Sequence, residues 1–117
     1  YARQFQALLD RAIGFAGGAP GRTFVLSIPD WGVTPFAARS GRDLDAIARE
    51  LDAFNAIAAK LSAGRGVAFV DITPLSRARG AEPSMLAGDG LHPSAAMYTL
   101  WMERALPVAR QLLQHAS

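Results

Sequence analysis

Cysteine is absent from this 117-residue chain, so neither a disulfide framework nor a thiolate metal site can form. Histidine is almost absent. His92 and His115 are the only two and lie far apart in sequence; a zinc site would need carboxylates to complete its ligands, and no metal-ligand spacing is visible. Lysine occurs once, at Lys60, beside eleven arginines spread from Arg3 to Arg110. The net charge is only +2 despite a pI near 9.7. Scattered charge of this kind reads as a solvated surface, and no nucleic-acid partner is expected. No apolar run reaches the length of a membrane span. Also missing is a serine in a recognisable nucleophile setting. No Gly-x-Ser-x-Gly occurs; Ser27 falls in a predicted strand, Ser94 reads as a helix N-cap, and Ser40, Ser62, Ser76, Ser84 and Ser117 fall in loops, helix ends or the tail.

Half of the residues are hydrophobic, which suits one globular domain or part of one. Phe5, Leu8, Leu9, Ala12 and Ile13 recur at helical spacing and predict a helix over 1–16, stopped by Gly17-Gly18. The run 23–28 is rich in β-formers and fits a strand buried on both faces, ended by Pro29. Residues 29–42 read as a loop. A second helix is expected over 43–63, with Leu44, Ile47, Leu51, Phe54, Ala58 and Leu61 as its buried stripe and Asp43 and Asp45 at the positive end of its dipole. A second buried strand spans 66–72, followed by a long loop over 73–92 and a last helix from Pro93 or Ser94 to about Gln114, kinked at Pro107. Tyr98, Trp101 and Met102 on that helix read as core.

Strands alternating with helices imply an α/β fold with parallel strands and right-handed crossovers. Two strands that are apolar on both faces are too few to stand alone. The expectation is that residues 1–117 form the C-terminal portion of a larger α/β domain, whose remainder is an upstream segment of the same or a separate chain. Tyr1 already lies inside a helical pattern, so the compartment is left open.

The most informative stretch is Asp89-Gly90-Leu91-His92-Pro93-Ser94. A carboxylate three positions before an imidazole, in a Gly-bearing turn, can accept a hydrogen bond from one ring nitrogen and leave the other aimed elsewhere as a base. The plainer reading is a turn pair (Asp89-Gly90) and a helix-start residue (His92). In an open parallel α/β sheet, ligands bind beyond the carboxyl ends of the strands. The loop carrying Asp30 and Trp31, the loop after Ile72 and the Asp89–His92 turn all belong to that edge. Asp30, Trp31 and Leu91 are therefore candidate substrate-pocket residues. Asp30 also reads as an Asx-turn acceptor, Trp31 as a cover for the core, and Asp71 as an acceptor for nearby loop amides.

The segment Gly88–Ser94, followed by an Ala/Tyr/Trp-bearing terminal helix, resembles the closing motif of the SGNH (GDSL-like) hydrolases. Phe54-Asn55-Ala56-Ile57, the strand ending Val70-Asp71-Ile72 and the stretch Val25–Gly32 agree with it. The resemblance implies a three-layer α/β/α, flavodoxin-like fold, here only its C-terminal part. It implies a serine ester hydrolase acting through an acyl-enzyme, with His92 as general base, Asp89 as its orienting carboxylate, no metal and no organic cofactor. The Gly-Asp-Ser nucleophile and the Gly-x-Asn element of that family are missing from this chain, so the chain alone is expected to be inactive. Small esters are the implied substrates, open among lipid esters, acetylated sugars and thioesters. The competing expectation is a non-catalytic α/β binding or assembly module.

Overall fold

A computed structural model describes residues 1–115; Ser117 lies outside the described residues. Among the described residues five α-helices and two strands run in the order α1 (Ala2–Phe15), β1 (Phe24–Leu26), α2 (Pro35–Arg39), α3 (Leu44–Gly64), β2 (Ala68–Val70), α4 (Thr73–Arg79) and α5 (Ala95–His115), with short 3₁₀ turns at Pro20–Arg22, Trp31–Val33 and Pro83–Met85. The strands pair parallel, with Phe24, Val25 and Leu26 opposite Ala68, Phe69 and Val70. The fold is mixed α/β with a two-stranded parallel sheet among the described residues.

The long helices start where their sequences provide acceptors. Asp43 caps α3, its Oδ1 accepting the amides of Asp45 and Ala46 at 3.0 and 3.1 Å. Ser94 precedes α5 and accepts the Met97 amide at 3.4 Å. Pro107 lies inside α5. Helix α3 packs on α1 and on β2, and α5 packs on β2 and on the 83–85 turn. The main core joins Val70 and Ile72 at the end of β2 to Met85 and to Met97, Trp101 and Ala105 of α5.

Several expectations change. Both loops contain helix: α2 falls in 29–42 and α4 in 73–92. Pro35 and Pro74 sit in the first turns of these helices, where the missing amide hydrogen costs no bond and the ring fixes a helical φ. The strands are shorter than predicted, and Ser27 lies just past β1 instead of within it. Neither strand is buried on both faces: Val70 is buried, Val25 and Leu26 are half-buried, and Phe24 is exposed. On α3, Leu44 and Phe54 are exposed while Ser62 is buried. On α5 only Trp101 of the three aromatic and Met candidates is core; Tyr98 and Met102 are each 51% exposed. With Phe24 and Leu106 they line one apolar surface groove.

Candidate functional site

Asp89 organises the turn that carries His92. Its Oδ1 accepts the backbone N–H of Leu91 and of His92, both at 2.9 Å, an Asx arrangement that fixes the loop. Its Oδ2 is hydrogen-bonded to His92 Nδ1. In the neutral ring Nδ1–H then donates to the carboxylate, which leaves Nε2 as an acceptor; Nε2 has no protein partner among the described residues. The His92 side chain is 72% exposed and that of Asp89 46% exposed. The His92 hydrogen bond, with help from the His92 and Leu91 amides, holds the Asp89 carboxyl down to a pKa of about 2.

The turn is tied down on both sides. The Ala87 amide donates to His92 O at 2.8 Å, and the Ser94 amide donates to Met85 O at 2.9 Å. Ser94 Oγ donates to Ser84 O at 2.7 Å. Gly90 O accepts from the Phe36 amide at 3.2 Å, docking the turn on α2. Gly90 has φ +70°, and a Cβ there would lie 3.4 Å from Arg39 Nη2 and 3.7 Å from Pro35 Cβ. Left-handed backbone and close approach together favour glycine.

Asp30, Trp31, Leu91 and His92 come together around one cavity of about 280 Å³. Residues after β1, residues of α4, the 83–86 stretch, the His92 turn and α5 all contribute walls. Asp30 is 4% exposed. One oxygen accepts the Gly32 amide at 2.8 Å, and the other pairs with Arg77 Nε at 2.9 Å. Arg77 also reaches Asp52 at 2.9 Å. Asp30 first, and Asp52 after it, raise the Arg77 pKa against the opposing effect of desolvation. The Asx-turn role read for Asp30 is thus present alongside its place in the cavity wall.

A second polar cluster joins the strand ends. Ser27 Oγ donates to Asp71 Oδ1 at 2.8 Å and accepts the amides of Ile72 and Thr73 at 2.7 and 3.0 Å. Asp71 Oδ1 accepts the Thr73 amide at 3.2 Å, in keeping with its reading as an acceptor for loop amides. Asn55 pairs with Ile28 as a strand would, accepting from its amide at 2.8 Å and donating to its carbonyl at 3.3 Å. Thr73 Oγ1 donates to Ile28 O at 2.7 Å. Asn55, Ser76 and Arg77 were not singled out from sequence for a role, nor were Met85 and Met97 as cavity walls. Their partners are distant in sequence, and the local signal that could have found the helix carrying Ser76 and Arg77 is Pro74 in its first turn.

Among the described residues no group of three or more His, Asp or Glu could hold a metal ion, and no helix is long and apolar enough to cross a membrane. The family model of the GDSL-like lipase/acylhydrolases matches residues 1–100, a span that includes the whole Asp89–His92 turn. The chain belongs to the GDSL-like lipase/acylhydrolase family. No curated protein and no solved structure matched it. Family membership supports an acyl hydrolase of the SGNH type. The cavity that His92 lines is a concave, mostly apolar site of the sort ligands occupy.

Proposed function

We propose that this chain is the C-terminal part of a three-layer SGNH-type serine ester hydrolase, in which His92 is the general base and Asp89 the carboxylate that orients it. The nucleophilic serine and the oxyanion donors come from an upstream segment of the same domain. That segment also supplies further strands beside β1 and covers the apolar strip of Phe24, Tyr98, Met102 and Leu106. The observation that carries the reading is the exposed His92 ring, anchored through Nδ1 by an ionised carboxylate, without a partner at Nε2 among the described residues, and lining an apolar cavity.

In the proposed reaction the serine Oγ attacks the ester carbonyl carbon while its proton passes to His92 Nε2. The C–O bond to the alcohol then breaks, and the leaving oxygen takes that proton. Water repeats the sequence on the acyl-enzyme, releasing the acid. Asp89 stays ionised and stabilises the imidazolium formed between the steps. Four serines of this chain are engaged elsewhere, which supports an external nucleophile: Ser27 and Ser76 are buried and fully engaged, and the Oγ of Ser40 and of Ser94 each bonds a nearby carbonyl; Ser62 is wholly buried.

The test is hydrolysis of p-nitrophenyl esters by the full-length protein. His92→Ala should remove nearly all turnover; intact turnover would rule the reading out. The other reading, a non-catalytic binding or assembly module, draws on the same exposed apolar strip, which suits a protein partner. It predicts a folded full-length protein that hydrolyses none of these esters.

A further inference from the structure

The His92 cavity grades from exposed to buried. His92 stands at its mouth, Trp31 and Leu91 are half-buried, and Met85, Met97 and Trp101 are buried behind them. Its surface is almost wholly apolar. The carboxylate and hydroxyl side chains in its wall, Asp30, Thr34 and Ser76, are occupied elsewhere. Asp30 is taken by Gly32 and Arg77. Thr34 Oγ1 donates to Trp31 O at 2.7 Å and accepts the Ala37 amide at 3.2 Å. Ser76 Oγ donates to Thr73 O at 2.6 Å and accepts the Asp30 amide at 2.8 Å. The Trp101 Nε1 has no partner and is itself closed off from the surface. Apart from His92 and the half-buried Trp31 indole N–H, the side chains of the wall offer little to the several hydroxyls of a sugar, and burying unpaired hydroxyls is unfavourable. Hydrocarbon carries no such penalty and gains from burial.

We infer that this cavity takes the acyl chain of the substrate, so that the enzyme acts on medium-chain fatty acyl esters and not on acetylated sugars. The inference rests on the hydrolase reading above and adds the substrate class to it. About 280 Å³ is available. Taking a methylene as close to the roughly 30 Å³ share of a liquid water, the cavity admits a straight chain of roughly six to ten carbons. The carbonyl then lies at the mouth, beside His92, with the chain directed toward Met97 and Trp101.

The experiment is a series of p-nitrophenyl esters from acetyl to dodecanoyl on the full-length protein. Each methylene from acetyl to octanoyl should raise kcat/KM about two- to fourfold, at least about 50-fold in all, with the rise ending beyond decanoyl. Leu86→Trp, which crowds the wall, should lower the octanoyl-to-acetyl ratio about tenfold or more. A binding measurement runs beside it. Trp31 and Trp101, the only tryptophans in this sequence, both line the cavity. Octanoate should therefore change the tryptophan emission of the full-length protein, and that change should shrink in Trp31→Phe and Trp101→Phe. Acetyl esters turned over as well as octanoyl esters, by a protein that His92→Ala silences, would overturn the acyl-chain assignment while leaving the hydrolase reading standing. Turnover that survives His92→Ala would overturn both.

Discussion

Two polar clusters stand at the strand ends and are built in opposite ways. Around Ser27 and Thr73 the polar atoms find partners inside the protein: hydroxyl to carboxylate, amide to hydroxyl, Asn55 to the Ile28 backbone. Both Ser27 and Thr73 are buried. Such a cluster holds the chain after β1 against the chain after β2, because an amide that loses its partner there cannot turn to water. Asp89 and His92 make the contrasting pair. They are exposed, fixed on one side by backbone amides, and keep one ring nitrogen without a partner among the described residues. A polar group whose bonding is complete within the fold serves the fold. One that is held rigidly and left incomplete is available for chemistry.

The difference can be tested from either side. The largest effect is expected on turnover. Asp89→Asn in the full-length protein should lower kcat about 10²–10⁴-fold by disturbing the ring's tautomer and removing its supporting charge. The urea midpoint should hardly move, since the site is exposed. Ser27→Ala should do the reverse. It strands the Ile72 amide and takes from the Thr73 amide one of its two acceptors, and should cost about 1–3 kcal/mol in urea unfolding, with kcat of the folded fraction little changed. A smaller effect is expected at Gly90, where an L-residue at φ +70° is strained. Gly90→Ala should cost about 1–2 kcal/mol and slow turnover by displacing His92.

These contrasts were unevenly legible in the sequence. The long helices α3 and α5 could be read because their apolar residues repeat over several turns, and the strands because β-formers cluster between Gly and Pro. The short helices α2 and α4 could not: five and seven residues give too little periodicity, and Pro35 and Pro74 mark a helix start as readily as a loop. Exposure was misjudged at Phe24, Tyr98 and Met102, where hydrophobicity alone pointed inward. At the site, Asp89 and His92 are neighbours in sequence, so their contact could be anticipated from spacing. Asp30, Trp31 and Leu91 were placed by the rule that loops at one sheet edge converge. The floor of the cavity, Met85, Met97 and Trp101, is assembled from separate segments and emerges only with the fold.

The smallest change concerns pH. The folded protein holds the Asp89 carboxyl at a pKa of about 2, below the ordinary carboxylate value. The folded state therefore binds this proton less readily than the unfolded chain. The Asp89 contribution is fully present above the unfolded carboxylate's pKa and fades as pH falls toward 2. A carboxyl-carbon NMR titration should show the Asp89 resonance moving near pH 2. Movement in the ordinary range near 4 would mean that its bond to His92 is weaker than the geometry implies.

The most direct test of the division between the two clusters is the rate at which a fluorophosphonate probe labels the full-length protein. The account predicts labelling of one serine upstream of this chain, slowed about a thousandfold or more in His92→Ala and retained in folded Ser27→Ala. Labelling at Ser27 itself, or labelling as fast in His92→Ala as in the parent, would contradict it.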